Sequence, residues 1–424
     1  MNHKPHVVVL GGGFGGLACC KALAGAEVEV TLIDKQNHHL FQPLLYQVAT
    51  AGLSMPEIAQ PLRSILRPHE GFTVLMDEAT GIDLAARRVE LRGQGALAYD
   101  FLVIALGAVT SYFGHPEWAA HAPGLKSLED AARIRREALL AFEHAETCTD
   151  PEERRRLMTL VVIGGGPTGV EMAGALAELA KVVLKRDFRR INPAQARILL
   201  VEASAKILDK FDDPLPEKAR RQLEALGVEV KTSTRVQDIR AGEVHLQAVG
   251  GGATEVIPAA CIVWGAGVMA HPITRTLGVP LDRAGRIQVE PDCTLPGHPE
   301  VFAIGDICAL KDANGVQVPG VSPAALQMGA HAAACIRDDL MHAGALPHPP
   351  FTYWDKGSMA TIGRSAAITQ VAGWKLSGFV AWVLWLFVHL VFLIGFRNRL
   401  AVLLQWAYAY LRYKRGARII TGTS

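Results

Sequence analysis

Two stretches of this 424-residue chain carry glycines at a spacing that suits a pyrophosphate. Gly11, Gly13 and Gly16 follow the apolar run from His6 to Leu10, and Gly164, Gly166 and Gly169 follow Leu160 to Ile163. In each G-x-G-x-x-G the first glycine permits a tight turn off a strand. The second lets the backbone approach a phosphate, and the third lets helix and strand pack closely. An Ala/Leu-rich helical stretch comes next, Leu17 to Ala24 in one copy and Val170 to Leu184 in the other. Its first N–H groups and its dipole favour an anion. An acid then ends a second apolar strand: Asp34 in the first copy and Glu202 in the second. These carboxylates are expected to accept hydrogen bonds from ribose hydroxyls. A chain that binds two dinucleotides is built to pass electrons between them.

Further strands must position these loops. Phe101-Leu-Val-Ile-Ala-Leu-Gly107 closes on a small-residue turn at Ala105 and Gly107, and Cys261-Ile-Val-Trp-Gly-Ala-Gly267 does so at Gly265 and Gly267. Glu300-Val-Phe-Ala-Ile-Gly-Asp306 reads as a buried strand delivering an Asp at its carboxyl end. Together these segments resemble the marker segments of two-dinucleotide flavoprotein oxidoreductases. The chain is also similar to the type II NADH dehydrogenases, single-subunit, non-pumping NADH:quinone oxidoreductases. That second resemblance rests on Asn37 to Ala51, Gly169 to Gly174, Val318-Pro-Gly-Val321 with Gln327, and Tyr353 to Gly363.

The resemblance implies an FAD site and an NADH site. It assigns Gly11, Gly13, Gly16, Asp34, Gln47, Ala105, Gly107, Asp306 and Gln327 to FAD, with Asp306 on the ribitol. It assigns Gly164, Gly166, Gly169, Glu171, Glu202, Gly265 and Gly267 to NADH. Glu171, Lys356 and Gln327 become the catalytic candidates, and Tyr46 and Gln47 line the flavin's other side. The residues alone leave simpler readings open: a carboxylate favoured at a helix start for Glu171, a solvated loop Lys for Lys356, a helix-surface Gln for Gln327. One stretch departs from the family, which has Ala-Gln where this chain has Ser322-Pro323.

Composition narrows the class. Half the residues are hydrophobic and a fifth are charged, so the chain is neither disordered nor of low complexity. Nine basic side chains and no acid follow Asp355, which leaves the body at −7 against a net charge of +2. An acidic body with a basic, apolar tail argues against nucleic acid and for a membrane-facing end. The seven cysteines are scattered, with no zinc spacing and no redox pair, so a reducing compartment and no metal are expected. No targeting segment is expected before the first strand.

Gly378 to Phe396 is apolar apart from His389 and reads as one helix of about 28 Å, near the ~30 Å of a hydrocarbon core. A single span would leave Arg397, Arg399, Arg412, Lys414, Arg415 and Arg418 on the far side, against the positive-inside tendency. An in-plane anchor is therefore expected, with Trp374, Trp382, Trp385 and Trp406 at the interface.

The expected fold is α/β, with two nested Rossmann-type domains and a C-terminal membrane-associating helical module. The FAD domain takes residues 1–112 and 291–345, the NADH domain 113–290 and the membrane module 346–424, with the charged helical stretch Glu129 to Leu157 leading into the second domain. The expected partners are a membrane quinone, the cytoplasmic surface of the cell membrane and a second copy of the chain. A sulfide:quinone oxidoreductase, which needs cysteines at the flavin (Cys308, Cys148), and a non-catalytic nucleotide sensor stay open as alternatives.

Overall fold

The computed structural model describes residues 4–342, 344, 347–412 and 417–420. Lys414, Arg415 and the side chain of Arg412, counted above among the tail cations, lie outside the described residues. Five helices organise the sites: α1 (Phe14–Leu23), α2 (Pro167–Glu178), α3 (Ser322–His342), α4 (Phe379–Phe392) and α5 (Phe396–Arg412). The chain forms two compact units.

The first unit comprises Met1–Leu40, Ala59–Val109 and Val268–Lys356. Its six-stranded sheet runs Thr294–Leu295, His298–Ala303, Phe101–Ile104, His6–Leu10, Glu29–Asp34, Phe72–Met76. All but the first strand are parallel. Val7 to Leu10 are fully buried, as a β-branched run covered on both faces should be. The order reverses direction beside His6–Leu10, so the loop leaving that strand opens at a topological switch point. Helix α1 lies against α3 where a Cβ on Gly329 would collide with the carbonyl of Gly15.

The second unit comprises Phe41–Ile58, Thr110–Gly267 and Gly357–Ser424. Its four-stranded parallel sheet runs Val228–Lys231, Arg197–Val201, Thr159–Ile163, Cys261–Trp264, with the same reversal beside Thr159–Ile163. The expected helical stretch from Glu129 to Leu157 is two helices. Leu128–Thr147 opens on a capping box between Ser127 and Asp130, and Pro151–Leu157 starts from an Asp150 cap. A three-stranded antiparallel sheet (Ser358–Gly363, Ala366–Val371, Trp374–Ser377) then leads into α4 and α5.

Two expectations for the tail fail. The helix read over Gly378 to Phe396 breaks: Leu393 is extended and Gly395 takes φ +85°, a conformation that glycine tolerates. The 14 residues of α4 reach only about 21 Å. Among the described residues no helix is long and apolar enough to cross a membrane. The tryptophans divide as well. Trp374 is exposed, but Trp382, Trp385 and Trp406 are buried in the unit's interior. Among the apolar side chains left outside are Val380, Val383, Phe387 and Val391 on α4, and Phe396, Leu400, Leu403 and Leu404 on α5, with Phe379, Phe392 and Tyr408 exposed beside them. Their three- and four-residue spacing makes one open stripe on each helix.

Candidate functional site

The two glycine loops have one geometry. Gly11 takes φ +98° and Gly164 φ +106°, each beyond the reach of an ordinary side chain. A Cβ on Gly11 would sit 2.5 Å from the carbonyl oxygen of Ala105, and one on Gly164 would sit 2.6 Å from the carbonyl carbon of Gly265. The small-residue turns after the neighbouring strands are therefore pressed against the loops. A Cβ on Gly16 would collide with the carbonyl of Gly11, and one on Gly169 with that of Gly164. The second glycines differ in kind: around Gly13 and Gly166 a Cβ would meet no protein atom within 4 Å. These residues are the N-caps of α1 and α2, and neither helix start has a side-chain cap. Open space over a glycine, beside uncapped amides at a helix N-terminus, fits a pyrophosphate in both copies.

The acids at the second strand ends hold the loops. Asp34 accepts from the N–H of Gly12 (2.6 Å) and of Gln36 (2.7 Å), while Glu202 accepts from Gly165 (2.5 Å) and Ser204 (2.6 Å). Burial raises the Asp34 carboxyl above its usual range, and the two amides pull it back. The simple picture of carboxylates waiting for ribose hydroxyls is thus incomplete, because each also fastens its own glycine loop. Of the other residues assigned to NADH, Gly267 lies under the ring of Phe113, which a Cβ there would meet at 2.6 Å. Gly107 takes φ +64°, with open space on its Cβ side.

In the first unit, Asp306 sits in the turn Gly305–Ile307 after strand His298–Ala303. The Val318-to-Val321 segment closes on it, and a Cβ on Gly320 would lie 3.2 Å from Asp306 Oδ1. Gln327, on α3, grips one residue from both sides. Its Nε2 donates to the carbonyl of Trp354 (3.0 Å) and of Pro323 (3.1 Å), while its Oε1 accepts the Trp354 N–H (3.0 Å). Lys356 Nζ stands 5.2 Å from the centre of the Trp354 ring, within cation–π range. Gln327 and Lys356 are thus brought together through Trp354, a residue to which the sequence reading gave no role.

Glu171 belongs to the second unit and lines a cavity of about 60 Å³ with Tyr46, Gln47, Thr361, Trp385 and Trp406. Burial pushes its carboxyl up to about 8, against the opposing pull of the Thr361 N–H (3.3 Å) and the Trp385 side chain. Gln47 donates to the Tyr46 hydroxyl (2.9 Å) and accepts from Trp406 Nε1 (2.8 Å). His389 stacks on Trp385 at 4.0 Å, with Nδ1 hydrogen-bonded to the Trp385 carbonyl, and burial lowers its pKa to about 4. It is half-buried against Trp385. Tyr46 and Gln47, expected beside the flavin, have these partners within the second unit. Thr361, Trp385 and Trp406 were missed as pocket residues. The one hint was the four-residue spacing of Trp385 and His389, which puts both rings on one helix face.

The seven cysteines are free, and all but Cys148 are buried. Cys308 donates to the Gly305 carbonyl, and burial lifts its thiol to about 12.

Residues 5–329 match the pyridine nucleotide-disulphide oxidoreductase family, and residues 355–413 match the NDH2 C-terminal domain. The type II NADH:quinone oxidoreductase Ndh of Mycobacterium tuberculosis is 44% identical over 99% of this chain and 90% of its own length. The fold matches NDH2 of Plasmodium falciparum in complex with NADH at a TM-score of 0.90, with 19% identity over 99% of this chain and all of that one. It also matches the sulfide:quinone oxidoreductase of Aquifex aeolicus at a TM-score of 0.72, with 19% identity over 93% of this chain and 92% of that one.

Proposed function

The chain belongs to the type II NADH:quinone oxidoreductases, and we propose on that premise how its residues divide the reaction. It is an FAD-dependent NADH dehydrogenase that reduces quinone without pumping protons. The observation that carries this reading is the pair of cradles, Gly11 to Gly16 with Asp34 and Gly164 to Gly169 with Glu202, each open above its second glycine. FAD belongs to the first and NADH to the second.

FAD, when bound, accepts a hydride from NADH and passes two electrons to quinone, which takes up two protons. The protein's part is alignment, exclusion of water and proton supply. Asp306 anchors the ribitol end, with Val318 to Val321 closing over it. Gln327 fixes the backbone of Trp354, which positions Lys356. Glu171 keeps its proton up to about pH 8 and serves as a local acid. The cavity beside it admits water but is small for a whole quinone, which suits proton delivery to an acceptor at its mouth.

The apolar stripes of α4 and α5 rest on the cytoplasmic membrane surface in plane, with the tail cations toward anionic headgroups. A sulfide:quinone reading requires a reactive thiolate, and Cys308, buried with its pKa raised, is poorly suited to supply one. Anaerobic addition of NADH should bleach the flavin absorbance and a soluble quinone should restore it. A flavin that stays oxidised under excess NADH overturns the assignment and leaves the nucleotide-sensing alternative.

A further inference from the structure

The two surface helices do more than cover the second unit. Each sends one tryptophan inward, and both indoles line the Glu171 cavity. From α5, Trp406 Nε1 donates to Gln47 Oε1 at 2.8 Å, and the other end of that amide donates to the Tyr46 hydroxyl at 2.9 Å. From α4, the Trp385 residue is 1% exposed; its buried Nε1 makes no hydrogen bond among the described residues, and it lines the same cavity as the Glu171 carboxyl. The two indoles pack on each other at 5.9 Å, and Trp385 meets the Tyr46 ring edge-on at 6.4 Å. Stacking on His389 holds Trp385 from behind. A phenylalanine at either position keeps an aromatic ring in the packing and removes the N–H donor together with the indole's second ring.

We propose that Trp385 and Trp406 are positioning residues for quinone reduction, Trp385 orienting the Glu171 carboxyl and Trp406 orienting the Gln47 amide. The proposal rests on the assignment of Glu171 as the acid beside the electron acceptor. Its chemistry follows from donor geometry. A carboxyl held only by the long Thr361 N–H contact can still rotate away from the group it must protonate, and a fixed indole N–H beside it restricts that freedom. An amide with only one end bonded can turn over, and the Trp406 N–H makes one of its two orientations the better bonded. The same contacts link the membrane-facing helices to the pocket, so the elements that seat on lipid also set the pocket's hydrogen bonds.

The test uses full-length holoenzyme carrying Trp385→Phe or Trp406→Phe. The first readout is an infrared pH titration of the buried carboxyl, with Glu171→Gln identifying its band. Trp385→Phe should raise the midpoint by about one unit, because a donor that favours the carboxylate form has gone. Trp406→Phe should leave the midpoint in place and raise KM for quinone about fivefold, with ferricyanide reduction by NADH unchanged. A merely structural loss would move both variants together. A Trp385→Phe midpoint equal to that of the wild type overturns the role of Trp385, and an unchanged quinone KM in Trp406→Phe overturns that of Trp406. If Trp385→Phe does not fold, 15N-indole NMR of the wild type decides instead. The Trp385 N–H resonance should then move with the Glu171 titration, and a resonance flat across it refutes the contact. Should no form reduce quinone, the infrared midpoints still report on positioning, so failure of the functional assignment is distinguishable.

Discussion

The two glycine loops begin as copies and end in different chemistry. Two positions after the third glycine, the first copy has Ala18 and the second has Glu171. Helix α1 is covered by α3, which comes so close at Gly329 that a Cβ there would lie 3.1 Å from Ala18 Cβ. Helix α2 is covered by the strand Ser358–Gly363. There Gly174 lets the backbone of Ile362 approach, and the Thr361 N–H comes to the Glu171 carboxyl. The motif fixes the same loop geometry in both copies, and the element packed on the helix decides whether a proton-holding group can follow it.

The comparison breaks most sharply at the glycines. Gly16→Ala should lose at least about 3 kcal/mol, because the new Cβ strikes the carbonyl of Gly11, and the same holds for Gly169→Ala. Gly13→Ala should melt near the temperature of FAD-stripped wild type yet purify with little FAD, because its Cβ enters only the open space above the loop. Thermal melts with flavin absorbance separate the two cases. A Gly13→Ala protein of full yellow occupancy removes the cradle assignment.

The second contrast is electrostatic. A carboxyl whose folded pKa, about 8, exceeds its unfolded value near 4.5 keeps a proton that the unfolded chain has lost. Stability therefore falls as pH rises from about 4.5 to about 8 and is flat above that. Glu171→Gln removes the penalty and should stabilise the protein at pH 8 by up to roughly 4 kcal/mol, an upper bound if water reaches the ionised group. At pH 4 it should have little effect. Melting temperatures compared at the two pH values check this. Quinone reduction by the wild type should decline as pH passes about 8, and the Gln variant should lose that limb. Ala18→Glu, the reciprocal change, should destabilise at every pH.

The outer surface gives a smaller effect. Phe387→Ser with Leu404→Ser leaves the pocket untouched and removes two exposed side chains, each contributing about 1.5–3 kcal/mol if buried in lipid. Vesicle sedimentation should show release, with NADH–ferricyanide activity kept. Unchanged sedimentation would separate the apolar stripes from membrane docking.

Smallest is cofactor choice. Glu202 already fastens Gly165 and Ser204, and its charge opposes a 2′-phosphate by at most about 4 kcal/mol. Specificity constants should favour NADH over NADPH by one to two orders of magnitude, and equal constants would sink the argument.

Much of this was legible in the residues. A strand and three glycines are local in sequence, and their geometry follows from steric rules that act over a few residues, so both loop geometries could be read before any fold was known. The Gln327 region was legible only through resemblance, because an amide's two-sided grip on Trp354 needs partners 27 residues apart. The tail was misread in part. Hydropathy counts apolar residues and does not say which of them face inward, so Trp382, Trp385 and Trp406 were expected at the interface when they fill the core.

The sequence by itself determined two glycine loops of one geometry, an acidic body with a basic tail, and no cysteine pattern for a disulfide redox centre, since each depends on residue type and short spacing. Tertiary structure decided the rest. It broke the apolar stretch at Gly395, turned three tryptophans inward, and gave Glu171 a pocket where Ala18 has a neighbouring helix. The physical reason is that desolvation and hydrogen-bond geometry depend on what packs against a residue, and those neighbours come from as far as 359 positions away, the separation of Gln47 and Trp406.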